Sequence, residues 1–198
     1  MSGAGLQAFL PGMNCRVSVP SPALECRASE EPWVLESGGR FLLVANFASG
    51  RNYFDGKLTT QTGAKKTIAP FYSAAAVEEN GHAIWLFAMV DGGIRLFDAN
   101  FDSVGPIASW GSDLAGIAMR CGSGGTVLAT RAGAALEGDS VQAFAIVNRG
   151  AVSLGPAAEL PGPVTALWPS GDASAVAVVH DLQTGKYAAY LITVICGG

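Results

Sequence analysis

Short apolar runs recur along this chain at a nearly constant spacing, and each run follows a glycine turn. The runs are Phe41–Ala45, Ile84–Val90, Thr126–Ala129 and Ala175–Val179. The glycines are Gly39, Gly81, Gly124 and Gly171, at spacings of 42, 43 and 47 residues. A period of this length indicates a chain of repeated supersecondary units, because each unit buries its apolar face only against its neighbours.

Two further strand-like runs flank each of these apolar runs, so that every repeat contains at least three. The preceding runs are Trp33–Glu36, Ser73–Glu78, Leu114–Met119 and Val164–Trp168. The following runs are Asn52–Leu58, Ile94–Asp98, Val141–Val147 and Tyr187–Val194. Short apolar runs bounded by glycine, aspartate and asparagine are typical of β-strands joined by tight turns.

The clearest internal match is ungapped and supports the same period. Leu6–Val19 aligns with Val141–Leu154 at a constant offset of 135 residues, which is three periods of 45. The Gln-Ala-Phe triplet at residues 7–9 matches the same triplet at residues 142–144. The agreement between this offset and the glycine spacing favours a true repeat.

The composition favours strands over helices. The chain has 26 glycines and 10 prolines in 198 residues, and both residue types disfavour long helices. Apolar residues make up 49%, which excludes extensive disorder. The longest unbroken apolar run, Ala83–Val90, has eight residues, whereas a membrane-spanning helix needs about 20. We therefore predict an all-β chain without a membrane span.

A period of 42–47 residues with three or four short strands in each repeat resembles the β-propeller repeat proteins of bacteria. The resemblance covers nearly the whole chain and implies one propeller-like domain over residues 1–198, with four to five blades. It is architectural, because the chain has no Trp-Asp dipeptide, no kelch double glycine in register and no Asp-box. The alternative all-β fold is a β-sandwich, which does not require the 135-residue register.

The last repeat ends after its third strand-like run, Tyr187–Val194. An unpaired edge strand is a template for another strand, so we expect this blade to be completed. The candidate within the chain is Cys15–Val19. The alternatives are a longer propeller, of which this chain is a part, and association of chains into a homo-oligomer.

Charge and histidine content exclude several functional classes. The net charge is −4, and the only adjacent basic pair is Lys65–Lys66, so no basic stripe exists for a nucleic-acid backbone. The chain has no Cys-x-x-Cys motif and two histidines, which do not complete the usual zinc spacings. We expect no metal, no cofactor and no nucleic-acid partner.

The four cysteines lead to two hypotheses. In one, they are buried free thiols that act as small apolar groups. In the other, Cys15 pairs with Cys26 and Cys121 pairs with Cys196, which requires an oxidising compartment such as the periplasm or the extracellular space. The first twelve residues lack a basic leader and a proper apolar core, so we expect no signal peptide in this chain.

Four residues are candidates for ligand binding: His180, Asp181, Trp110 and Trp168. His180 and Asp181 follow an inner strand, where a histidine–aspartate pair can act as a general base or bind a metal; the alternative is an ordinary turn. Trp110 and Trp168 can stack on a sugar or a peptide, although tryptophans more often pack between blades.

Three hypotheses for function remain open, and the first is preferred. The chain is a non-catalytic binding scaffold that holds a protein, peptide or glycan at its loop face. Alternatively, it is a glycan-active hydrolase or lyase that uses channel carboxylates, or a self-associating structural protein completed by edge-strand pairing. The candidate carboxylates are Asp91, Asp98, Asp102, Asp113, Asp139 and Asp172.

Overall fold

A computed structural model describes residues 6–10, 13–17, 24–28, 33–37, 41–48, 51, 53–60, 62–105, 111–122, 124–134 and 137–196. The strands in these ranges are β1 Leu6–Leu10, β2 Met13–Val17, β3 Leu24–Ala28, β4 Trp33–Ser37, β5 Phe41–Phe47, β6 Phe54–Thr60, β7 Lys65–Thr67, β8 Phe71–Glu79, β9 His82–Met89, β10 Ile94–Phe97, β11 Leu114–Cys121, β12 Gly124–Arg131, β13 Ser140–Val147, β14 Gly150–Ser153, β15 Ala158–Glu159, β16 Val164–Pro169, β17 Ser174–His180 and β18 Tyr187–Thr193. The described residues contain no helix, which confirms the all-β prediction, and their sheets are open. No helix capable of crossing a bilayer occurs among them.

The chain forms two compact units. Unit 1 comprises Met1–Leu35 and Leu42–Pro70, and unit 2 comprises Glu36–Phe41 and Phe71–Gly198. The single propeller-like domain over residues 1–198 therefore stays a prediction.

Unit 1 contains a three-stranded antiparallel sheet in the order β1-β2-β3. Strand β2 is its central strand, with Met13 opposite Leu10 on one side and opposite Ala28 on the other. Both edges of Met13–Val17 are thus already hydrogen-bonded. The prediction that Cys15–Val19 completes the last repeat is wrong, because a strand paired on both sides has no edge to offer.

The internal match between residues 6–19 and 141–154 corresponds to two antiparallel hairpins, β1–β2 and β13–β14. In the first hairpin Leu10 lies opposite Met13, and in the second Val147 lies opposite Gly150. The two registers are therefore 137 residues apart, two more than the sequence offset. A two-residue shift keeps every residue on the same face of its strand, since side chains alternate with a period of two.

Unit 2 contains three consecutive antiparallel meanders. The first is β8–β9–β10, the second is β11–β12–β13–β14 with β15 also beside β13, and the third is β16–β17–β18. The long strands β9, β12 and β17 begin at residues 82, 124 and 174, so they follow one another at the period read from the sequence, with a longer last step.

The second meander is buried on both faces. Leu114 and Phe144 on one face pack with the apolar side chains of β8, β9 and β10. Ala115 and Leu128 on the other face pack with Ala175 of β17 and its neighbours. Strand β12 is accordingly buried at every position except its last, which explains why Val127, Leu128 and Ala129 follow one another without a polar residue between them.

Two glycines permit the close approach of the first strands of neighbouring meanders. A Cβ atom on Gly125 would lie 2.5 Å from Cβ of Val77, and one on Gly116 would lie 2.8 Å from the carbonyl oxygen of Ala76. Both distances are shorter than atoms tolerate, so β8 can lie against β11 and β12 only because these positions lack side chains.

A disulfide joins Cys121, at the end of β11, to Cys196, which follows β18. It fits the second pair proposed from the sequence and ties the third meander to the second across 75 residues of sequence. The backbone of Cys15 lies directly opposite that of Cys26 in the β2–β3 ladder. The bridge between those two residues stays a prediction.

We expect the Cys121→Ala/Cys196→Ala double variant to lower the free energy of unfolding by about 2–4 kcal/mol, because the bridge restricts a long loop of the unfolded chain. Urea denaturation followed by tryptophan fluorescence measures this change. Peptide mapping without reductant provides the direct check: fragments containing Cys121 and Cys196 recovered as one linked pair support the bridge, and separate fragments contradict it.

Candidate functional site

A polar cleft of about 640 Å³ lies at one end of the strands of unit 2. Three connections surround it: the β8–β9 turn, the loop that follows β10 and the β13–β14 turn. Its lining residues are Glu79, Asn80, His82, Ala83, Ile84, Asp98, Ala99, Asn100, Asn148 and Arg149.

Both hairpin turns at the cleft have two consecutive residues in the left-handed region. Asn80 and Gly81 have φ of 50° and 80°, and Asn148 and Arg149 have φ of 52° and 58°. Two positive φ values are the signature of a type I′ turn, which asparagine and glycine favour. The left-handed arginine is unusual, and its turn has a specific hydrogen bond to the neighbouring sheet.

The acceptor of that hydrogen bond is the side chain of Glu79, which is 5% exposed. The backbone N–H of Arg149 donates to both carboxylate oxygens of Glu79, at 3.1 and 3.3 Å. A buried carboxylate requires such partners, because an unpaired one is costly. Glu79 therefore links the β13–β14 turn to the β8–β9 turn and holds two walls of the cleft together.

The third wall is shaped by Asp98. Its Oδ1 atom accepts the backbone N–H groups of Asn100 at 2.8 Å and of Asp102 at 3.1 Å. Phe101 adopts φ of 64° in this loop. The aspartate thus folds its own loop in the manner of an Asx turn, and Asn100 of this loop lines the cleft.

The cleft offers hydrogen-bond donors and acceptors in balance. Three asparagines, whose amides can both donate and accept, line it together with the acceptors Glu79 and Asp98 and the donor Arg149. This lining suits a ligand rich in hydroxyl groups, each of which also donates and accepts. No phenylalanine, tyrosine or tryptophan is among the described lining residues.

The predicted pair His180 and Asp181 lies at the opposite end of the strands from the cleft. Asp181 Oδ1 accepts the backbone N–H groups of Gln183 and Thr184, both at 2.8 Å. These bonds, that of Thr184 foremost, lower the pKa of Asp181. The ring of His180 lies 4.9 Å from that of Tyr187. Asp181 thus builds its own turn, and ligand binding by the pair stays a prediction.

The two candidate tryptophans differ in what the structure describes of them. Trp168 lies on β16 and is 45% exposed, so its ring is accessible to a ligand. Trp110 lies outside the described residues. A binding role for Trp110 and Trp168 therefore stays a prediction.

Among the six candidate aspartates, the charge of Asp139 contributes to a shift in the pKa of Asp113. Burial raises the pKa of Asp113, the Thr130 hydroxyl that donates to it opposes the rise, and the charge of Asp139 adds to it. The oxygens of Asp139 accept the backbone N–H groups of Gly133 and Val164. In the described part of the chain, no three His, Cys, Asp or Glu side chains form a metal-binding group.

The sequence carries a local signal for two walls of the cleft. The dipeptides Asn80-Gly81 and Asn148-Arg149 each separate two strand-like runs, and asparagine at such a place indicates a tight hairpin. Only the stacking of the meanders shows that the two hairpins open at the same end. That is why the cleft was not predicted.

We expect Glu79→Ala to lower the free energy of unfolding by about 1–3 kcal/mol, because the charge-assisted hydrogen bonds from the Arg149 N–H to the Glu79 carboxylate are lost. Thermal unfolding followed by circular dichroism measures the loss. Glu159→Ala removes an exposed carboxylate from β15 and serves as the matched control, with little change expected. Equal effects of the two substitutions would contradict the proposed link between the turns.

Asp113→Asn should raise the melting temperature at pH 7 and have little effect near pH 2. The raised pKa means that the folded state favours the protonated carboxyl, so ionisation at higher pH destabilises the fold. Asp181→Asn should show the opposite behaviour, with a loss at neutral pH that disappears on acidification, because the pKa of Asp181 is lowered. Melting curves from pH 2 to 8 test both signs. A stabilising effect of Asp113→Asn that persists at pH 2 would refute this assignment.

Comparison with known proteins gives a structural likeness only. A chain of Kuenenia stuttgartiensis hydrazine synthase matches 98% of this chain with a TM-score of 0.52 and 12% sequence identity. The match covers 66% of that chain, so the present chain spans just under two thirds of its length. A structure of BBS1N in complex with ARL6DN matches 96% of this chain and 74% of that chain at 12% identity, with a TM-score of 0.40 that is too low to indicate a shared fold.

No protein-family model matches the sequence, and no curated protein matches it. The likeness to the hydrazine synthase chain therefore concerns the fold alone, at an identity of 12%.

Proposed function

We propose that this chain is a non-catalytic binding scaffold of the β-propeller type, and that its polar cleft holds a hydroxyl-rich ligand such as a glycan segment. The observation that carries the proposal is the cleft itself. It has a volume of about 640 Å³ and is lined by three asparagines, two carboxylates and one arginine.

The propeller arrangement is supported by the order of the meanders in unit 2. Strand β11 contacts β8 of the preceding meander and β16 of the following one, so the first strands of the three meanders are neighbours. The second meander is covered on both faces by the other two. Blades around a common axis have these two properties, and four to five blades agree with the 42–47-residue period.

The ligand class follows from the way the cleft is held. Glu79 and Asp98 already hydrogen-bond the backbone, which leaves the cleft walls preorganised before a ligand arrives. Asn100 and Arg149 line the cleft alongside them. Rigid walls with mixed donors and acceptors favour binding of neutral polar groups, because little ordering entropy is lost.

A glycan-active hydrolase or lyase is the second candidate, and the raised pKa of Asp113 is the observation that favours it. An acid catalyst needs such a raised pKa. The required partner carboxylate is less suitable, because both oxygens of Asp139 are engaged by backbone N–H groups. For this reason the binding function ranks first.

The proposed location is the periplasm or the extracellular space. The Cys121–Cys196 disulfide supports it, since such bonds form and persist in oxidising compartments. Glycans exposed at a cell surface would be accessible to a protein in either place.

The test is a screen of the purified chain against immobilised neutral oligosaccharides, followed by calorimetric titration with the strongest binder. Asn100→Ala should weaken that binding by about three- to tenfold, because one hydrogen bond to the ligand is lost. Gln183→Ala is the matched control. Asp181 Oδ1 accepts its backbone N–H at 2.8 Å, just as Asp98 Oδ1 accepts that of Asn100.

Unchanged affinity of the Asn100→Ala variant for the oligosaccharide would contradict the placement of the binding site in the cleft. Failure to bind any oligosaccharide, together with binding of a peptide, would overturn the ligand class. Hydrolysis of a bound oligosaccharide that is lost in Asp113→Asn would favour the enzyme instead.

A further inference from the structure

Strand β18, Tyr187–Thr193, forms one edge of the third meander. In the described part of the chain it pairs with β17 alone. Its residues alternate between exposed and half-buried positions. The strand therefore has one hydrogen-bonding side without a strand partner among the described residues.

The direction of the backbone groups of β18 follows from one hydrogen bond. The N–H of Val194 donates to the carbonyl of Ala173 at 2.8 Å, which makes this opposing pair a hydrogen-bonded one. Such pairs alternate with non-hydrogen-bonded pairs along an antiparallel ladder. The residues whose backbone groups point away from β17 are therefore Tyr187, Ala189, Leu191 and Thr193.

The edge lacks the features with which proteins usually protect an exposed strand. Its sequence, Tyr-Ala-Ala-Tyr-Leu-Ile-Thr, contains no charged residue, no proline and no glycine. Tyr187 is 68% exposed and Leu191 is 67% exposed. Lysine, proline or a bulge ordinarily blocks edge pairing. Strand β18 contains neither lysine nor proline, and its register with β17 has no bulge.

The edge is also held in a defined position. The Cys121–Cys196 disulfide lies three residues beyond the end of β18. Ala175, Ala177 and Val179 of the neighbouring strand are fully buried. Pairing with this edge therefore requires little ordering of the strand, which lowers the entropic cost of association.

We infer that β18 pairs antiparallel with β18 of a second copy of this chain, joining two three-stranded sheets into one of six strands. The two-fold axis passes beside Tyr190. In this register Tyr187 faces Thr193 of the partner copy and Ala189 faces Leu191 of the partner copy. All four outward-directed residues of each strand then form hydrogen-bonded pairs.

A second copy suits this edge for three reasons. The strand carries no charge, so self-pairing brings no like charges together. The two edges have equal length, and the register about Tyr190 pairs every outward-directed residue. Pairing about a two-fold axis uses each edge once and closes the assembly at two chains.

The test is sedimentation velocity of the full chain over a range of concentrations. The mass should rise from 20.2 kDa towards twice that value. Ala189→Pro removes an N–H that points to the free edge and spares the β17 ladder, a position where proline is tolerated. Leu191→Lys places a charge on the edge. Both variants should remain monomeric at every concentration.

Leu182→Lys is the matched control, because Leu182 is 45% exposed and lies in the β17–β18 turn, off the edge. It should dimerise like the unmodified chain. Circular dichroism establishes that each variant is folded, and Leu191→Lys provides the result if the proline variant is not. A monomer at all concentrations, a ladder of larger species, or a dimer that survives Leu191→Lys would each overturn the inference.

Discussion

Burial of both faces of the second meander is the constraint on which unit 2 depends. Its strands place Leu114 and Phe144 against the first meander and Ala115 and Leu128 against the third. A sheet that is apolar on both faces is stable only between two covering layers. The order of the three meanders, the close approach at Gly125 and the burial of β12 at every position except its last all follow from this requirement.

The cleft is a consequence of the same stacking. Because neighbouring sheets lie face to face, hairpins that open at the same end come together, and the β8–β9 and β13–β14 turns become two walls of one cavity. The buried carboxylate of Glu79 accepts the N–H of Arg149 across this junction. A contact that stabilises the packing of two sheets therefore also shapes the surface at which we place the ligand.

The third meander ends the stack with one apolar layer facing inward. Its inner residues Ala175, Ala177 and Val179 are fully buried, whereas Trp168 and Leu191 are substantially exposed. Strand β18 is the outermost strand of this sheet in the described residues. The disulfide at Cys196 holds the sheet to β11, so the sheet is anchored on one side while its edge strand pairs with β17 alone.

The sequence by itself determined the strands and their period, because alternation, apolar runs and glycine turns are local properties of the backbone and its neighbours. Each of the twelve strand-like runs overlaps a strand, and the Cys121–Cys196 pair is joined. Only the tertiary structure decided that β2 is paired on both sides and that the hairpins are related by 137 residues. Likewise, Asp181 stabilises its own turn, whereas residues of three separate connections, Glu79 and Arg149 among them, enclose a cleft. Those outcomes depend on contacts between residues far apart in sequence, which no local pattern records.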